Sequence, residues 1–136
     1  MLKSIRNTTA LAILALCSGA ALAATTYTVT IEGPGGHSNG DYGNVNAVHA
    51  GARAVTALGQ TLPDAVIASM KGGATVNAIA ADCTFTVTVA DDKAAAAKPV
   101  IEKTVSEAIA AENAFRGVKK GDLVRGAPAE VRATVK

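Results

Sequence analysis

Two stretches of this 136-residue chain alternate threonine with an apolar residue, and no other feature restricts the fold as sharply. Thr26-Tyr27-Thr28-Val29-Thr30-Ile31 is the first, and Cys83-Thr84-Phe85-Thr86-Val87-Thr88-Val89 is the second. A period of two belongs to a β-strand. Each stretch therefore sends its threonines to one face, and sends Tyr27, Val29 and Ile31, or Cys83, Phe85, Val87 and Val89, to the other. A sheet built from them has one apolar face that other parts of the chain must cover.

Two helical patterns supply that cover. Asn44 or Asn46 is placed to cap a helix whose apolar face reads Val48, Ala52, Val55 and Leu58, with Gly51 allowing close approach and the end near Gly59. Further on, Asp91-Asp92 favours a helix start electrostatically and Pro99 suits a first turn. From either start, Ile101, Val105, Ala108 and Ile109 form the inward stripe. Between the helices, after a turn at Pro63, Ala65 to Met70 reads as a short strand ended by Gly72-Gly73. Beyond a polar stretch from Arg116 to Pro128, Val131, Ala133 and Val135 alternate as a last strand. The order β-α-β-β-α-β predicts an α+β, ferredoxin-like two-layer sandwich, with two helices on one face of a four-stranded antiparallel sheet.

The N-terminus carries Lys3 and Arg6, an apolar run from Ala10 to Leu16, and small residues ending in Ala21-Leu22-Ala23. This is the pattern of a cleavable signal peptide, residues 1–23, followed by one domain over residues 24–136 that is periplasmic or secreted. The run is far shorter than the roughly 20 residues of a membrane span, so no membrane association is expected after cleavage. Bulky Leu16 before Cys17 speaks against lipoprotein processing. Losing Lys3 and Arg6 leaves eleven basic and eleven acidic residues, which gives no electrostatic footprint for nucleic acid. The remaining 113 residues suffice for a core without disulfides. Cys83 has no intrachain partner there and reads as a buried strand residue.

The chemistry-bearing residues lie in two glycine-rich loops. Gly33 to Gly43 contains five glycines together with His37, Ser38, Asn39 and Asp41, but no Gly-Lys-Ser or dinucleotide fingerprint. Gly72-Gly73-Ala74-Thr75-Val76-Asn77-Ala78-Ile79-Ala80 is the second. A catalytic zinc needs three protein ligands, and the chain has only two histidines, His37 and His49, with no His-x-Asp or paired-glutamate segment beside either. His49 reads as a surface or packing residue of the first helix. Ser38, His37 and Asp41 are too close in sequence to aim at one another as a catalytic triad does. No metal or cofactor is expected, nor any autonomous catalysis.

The Gly35-Gly36-His37-Ser38 loop, the Asn46-Ala47 helix start and the Gly72-Gly73-x-x-x-Asn77-x-Ile79 loop before an alternating strand together resemble the lid, or dimerisation, domain of M20-family metallopeptidases. The resemblance runs from about Thr25 to Gly117. It implies an insertion-type domain separated from its zinc-binding catalytic domain, which pairs as a homodimer or as a heterodimer with an M20-type peptidase. It also implies that His37 matches the lid histidine that reaches a partner's active site and polarises the scissile carbonyl, and that Asn77 matches a substrate-holding asparagine. Where the family usually has proline this chain has Ala80, and where it has a carboxylate-gripping arginine this chain has Ala90. The expected function is an exported assembly module. The alternatives are a lid that supplies His37 and Asn77 in trans, and a binder of a small peptide or amino-acid derivative between the two loops.

Overall fold

A computed structural model describes residues 23–136, so the expected leader lies outside the described residues apart from Ala23. The main elements are β1 (Ala24–Glu32), α1 (Ala47–Thr61), β3 (Val66–Gly72), β5 (Asp82–Ala90), α2 (Asp91–Phe115) and β8 (Arg132–Val135). Four two-residue strands accompany them: β2 (Gly36–His37), β4 (Ala78–Ile79), β6 (Leu123–Val124) and β7 (Ala127–Pro128). The large sheet has the order β3-β5-β1-β8. Every pairing in it is antiparallel. This is the ferredoxin-like α+β sandwich that the alternating strands imply.

The two threonine stretches pair with each other at the centre of the sheet, from Ala24↔Ala90 to Glu32↔Asp82. Their apolar sides are buried: Val29, Ile31, Cys83, Phe85 and Val87 have no exposed surface. Threonines meet on the opposite face, where the Thr26 and Thr88 hydroxyls lie 2.8 Å apart. Tyr27 buries its ring and donates its hydroxyl hydrogen to the Ala94 carbonyl at 2.9 Å, so the polar tip is satisfied at the edge of the core.

The helices cover the apolar face with some corrections to the sequence reading. Asn46, not Asn44, caps α1, its side-chain oxygen accepting the Val48 and His49 amides. The inward face of α1 is Ala47, Ala50, Gly51, Ala54 and Leu58. Ala52 is exposed, and Val48 and Val55 are only half-buried. The face is turned because the helix sits close enough to β5 for small residues to be selected over branched ones. A Cβ at Gly51 would stand 2.5 Å from the Cys83 Sγ. Pro99 is an interior residue of α2. Asp91, Asp92 and the helix-forming run Ala94–Ala97 carry the helix through it, and exposed Ala95, whose carbonyl loses its partner, faces water.

The inward stripe of α2 is Ala97, Ile101, Thr104, Val105, Ala108 and Glu112, with Ile109 half-buried. The helix ends at Gly117, φ 70, where the Gly117 and Val118 amides donate to the Ala114 and Asn113 carbonyls in a Schellman arrangement. Asn113 then grips the incoming last strand. Its amide donates to the Val131 carbonyl at 3.1 Å, and its oxygen accepts the Val131 amide at 2.9 Å.

Candidate functional site

The two glycine loops come together. β2 pairs with β4 through Gly36↔Ile79 and His37↔Ala78, and the Ser38 amide donates to the Asn77 carbonyl at 2.9 Å. The sequence reading treats both segments as plain loops, and this small sheet is what joins them. Close approach explains the glycines. At Gly36, φ 148, a Cβ would lie 2.6 Å from that of Asp41, and at Gly72 it would lie 2.2 Å from the Asp82 carbonyl oxygen. Gly35 and Gly73 supply the positive-φ turns beside them. Further stitches are Gly33 amide to Ala81 carbonyl, 2.8 Å, and Ala47 amide to Ala80 carbonyl, 3.0 Å, which tie the second loop to the start of α1.

His37 and Asn77 are thus brought side by side, both exposed, with the Asn77 amide group 3.2 Å from the His37 Nε2. The Asn39 amide donates to Nδ1 at 3.2 Å. The atom of Asn77 that faces Nε2 is its Nδ2, and the Asn77 Oδ1 accepts from the Thr75 hydroxyl at 2.8 Å. His37 is thus held at both ring nitrogens, by the Asn39 amide at Nδ1 and by the Asn77 side chain at Nε2.

Asp41 supports the loop from behind. Its Oδ2 accepts the His37 backbone amide at 2.7 Å, and the Asp41 amide donates back to the His37 carbonyl at 2.8 Å. Its Oδ1 accepts from the Arg125 Nη2 at 2.5 Å. The His37 amide first, and then Arg125, hold the Asp41 carboxyl below its ordinary 3.8, against the raising effect of burial. Asp41 thus bonds the backbone of His37 and not its ring, which removes the Ser38-His37-Asp41 triad on geometry.

The remaining sequence candidates fall elsewhere. His49 is exposed on α1, with its Nδ1 3.4 Å from the Arg116 Nη2. Cys83 is a buried free cysteine whose thiol is pushed up first by burial and then by Asp82. Ala80 is buried beside α1. Ala90 lies at the far end of β5, eight strand steps or roughly 26 Å from Asp82, and so is not part of the His37 site. A cavity of about 470 Å3 lined by Leu62, Ala65, Val89, Ala90, Ala97 and Val100 opens at that far end, not between the two loops. Among the described residues, no group of three or more His, Cys, Asp or Glu side chains is placed to hold a metal ion.

Two groups escaped the sequence reading. Arg125 gave no local signal, since its partner Asp41 is 84 residues away. Glu112 could have been found, because the stripe Ile101-Val105-Ala108 continues onto it at helical spacing. Glu112 is fully buried and accepts from the Asn46 amide at 3.2 Å, Arg53 Nε at 3.2 Å and Arg116 Nε at 3.3 Å. Exposed Phe115 lies between the two guanidiniums, at 5.3 and 5.1 Å. This cluster ties α1 to α2 and makes no contact with His37.

The comparisons agree with this architecture. The family model described as the peptidase dimerisation domain matches residues 22–115, ending at the last residue of α2. No curated protein matches the chain. Among solved structures, it is similar to aminoacylhistidine dipeptidase from Vibrio alginolyticus, at 19% identity and TM-score 0.59, covering 82% of this chain and 21% of that one. It is also similar to aminopeptidase PepT from Bacillus cereus, at 15% identity and TM-score 0.57, covering 83% and 28%. A third is the aminobenzoyl-glutamate utilization protein from Klebsiella pneumoniae, at 16% identity and TM-score 0.54, covering 83% and 27%. At such identities the likeness is one of fold, and the chain spans less than a third of the length of these proteins. With the family model matching well over half of its residues, the chain belongs to the M20 peptidase dimerisation-domain family.

Proposed function

We propose that the chain is an exported assembly module without catalysis of its own, pairing through the β3 edge with a second copy or with a full-length M20-type peptidase. One observation carries the reading. β3 is an edge strand beside β5, and most of its residues are exposed, including Val66 at 63% and Met70 at 39%. Lys71 is its only charged residue. Unpaired backbone groups flanked by exposed apolar side chains favour strand addition. The adjoining helix offers a shallow surface at Ala52, Thr56 and Ala57, bordered by Arg53 and Gln60. The export part of the reading rests on Lys3, Arg6, the apolar run and Ala21-Leu22-Ala23.

Sedimentation across concentration tests the pairing. A dimer is expected, weakened at least about tenfold by Val66→Lys, a loss of about 1.4 kcal/mol. A monomer at high micromolar concentration contradicts self-pairing and leaves only the heterologous partner, which co-sedimentation with an M20-type peptidase then decides.

A second reading is favoured by the exposed His37 and Asn77 side chains standing side by side. In it, the chain supplies both residues to the active site of a separate M20-type zinc peptidase, where the imidazole meets developing charge on a carbonyl oxygen. Mixing the two proteins should change peptidase activity, and His37→Ala should abolish the change. Unaltered rate and substrate affinity on mixing contradict this reading.

A further inference from the structure

We propose that the C-terminal hairpin is a positioning strap for the His37 loop, with Arg125 and Asp41 as positioning residues that fix the direction of the His37 imidazole. Both lie outside any contact with the His37 ring, and Arg125 lies beyond the segment that the family model matches. The value of this strap to a partner rests on the second reading above. Its existence does not.

The hairpin is β6 and β7, paired Leu123↔Pro128 and Val124↔Ala127 around a two-residue turn, Arg125-Gly126. Arg125 has φ 51 and Gly126 φ 80, the left-handed pair of a type I′ turn. Glycine and asparagine suit such a position, whereas arginine holds it against steric cost. The strained residue is also the one whose guanidinium reaches the Asp41 carboxylate.

The base of the hairpin is firmly rooted. Buried Ala129 donates its amide to the Asp122 carbonyl at 2.8 Å, and Val131, 1% exposed, is held by both ends of the Asn113 amide. The far end of the strap is equally fixed. The Asp41 side chain is only 10% exposed, and its Cβ packs where a side chain on Gly36 would stand. An exposed ion pair contributes little by itself. Here one carboxylate oxygen takes the guanidinium while the other takes the His37 amide, so the pair restrains the loop that carries the ring. With the Asn39 amide at Nδ1 and the Asn77 side chain at Nε2, a fixed backbone means a fixed ring direction.

The test is NMR of the isolated protein, which needs no partner. Arg125→Gly removes the guanidinium and relieves the left-handed strain, so the fold should melt no earlier than wild type. The His37 amide should nevertheless exchange at least about tenfold faster, and its imidazole ring signals should move toward those of a ring that has lost its fixed contacts to Asn39 and Asn77. Arg125→Lys should restore part of both effects. His37 amide exchange and ring signals unchanged in Arg125→Gly would overturn the strap. If the strap holds while mixing with a peptidase has no effect, the second reading fails and this inference stands.

Discussion

The two edges of the sheet are built differently. β8 is four residues long, pairs with β1 from Val29↔Val135 to Glu32↔Arg132, and ends beside Lys136. Its entry is clamped by Asn113, and its shortness and flanking charges are the usual means of discouraging further pairing. β3 is seven residues long and mostly exposed, and it carries a bulge: the register slips between Ala68 and Lys71, with Ser69 at φ 58. The Thr86 hydroxyl donates to the Ala68 carbonyl at 3.1 Å on one side of that bulge, while the Met70 Cε reaches over to Gly51 of α1. One edge is short and flanked by charge, and the other is long, with Val66 exposed while Ile67 packs on the core. Under the proposed pairing, this difference sets the direction of assembly.

Substitutions can separate the supports of the two edges. The largest effect should come from Glu112→Ala, which leaves Arg53 and Arg116 without their buried partner and frees the joint between the helices. A loss of about 3 kcal/mol by denaturant unfolding is expected, loosening both edges together. A loss under about 1 kcal/mol would mean the cluster is not the common support. Asn113→Ala removes both bonds to Val131 and should cost about 2 kcal/mol, with faster amide exchange in β8 and little change in β3.

Gly51→Ala acts on the other side, since the new Cβ meets Cys83 Sγ at 2.5 Å and Met70 Cε at 3.1 Å. Overpacking costs about 2 kcal/mol and the gain in helix propensity returns about 1, so a net loss of about 1 kcal/mol confined to α1, β3 and β5 is expected. Ser69→Gly relieves the left-handed bulge residue and should stabilise by about 0.5 kcal/mol, read as a small rise in melting temperature. A fall there would show that the Ser69 side chain, not its backbone, shapes the edge.

The smallest effect concerns pH and neither edge. The folded Asp41 carboxyl titrates below its ordinary 3.8, so its contribution is whole above 3.8 and is lost as pH falls through the lower folded value. The Asp41 side-chain carboxyl 13C signal should keep its ionised form down to about pH 4 and change only below it. An Asp41 carboxyl transition centred above about pH 5 would contradict the restraint by the His37 amide and Arg125.

Much of this was legible in the sequence for a simple reason. Strand alternation is local, so β1 and β5 and their buried faces follow from the threonine stretches directly, as does Cys83 as a core residue. The glycine loops with His37 and Asn77 were also visible, because their spacing carries the family resemblance. On α1 the reading has Leu58 and the close approach at Gly51, but not the rest of the inward face, Ala47, Ala50 and Ala54, because how far the helix is turned about its axis depends on packing against the sheet that no local pattern encodes. Of the two starts open for α2, Asp91-Asp92 is the one observed, and the first-turn preference of Pro99 is outweighed by the alanines before it. The restraint on His37 was hidden because Asp41 and Arg125 meet only after the chain has folded.

The central claim, that β3 is the edge prepared for a partner, is tested most directly by residue-resolved amide exchange at low and high protein concentration. Amides across Val66–Gly72 should slow as concentration rises while those of Arg132–Val135 do not change. Exchange in β3 that is independent of concentration up to high micromolar, or slowing at β8 instead, would contradict the assignment of β3 as the edge of self-assembly.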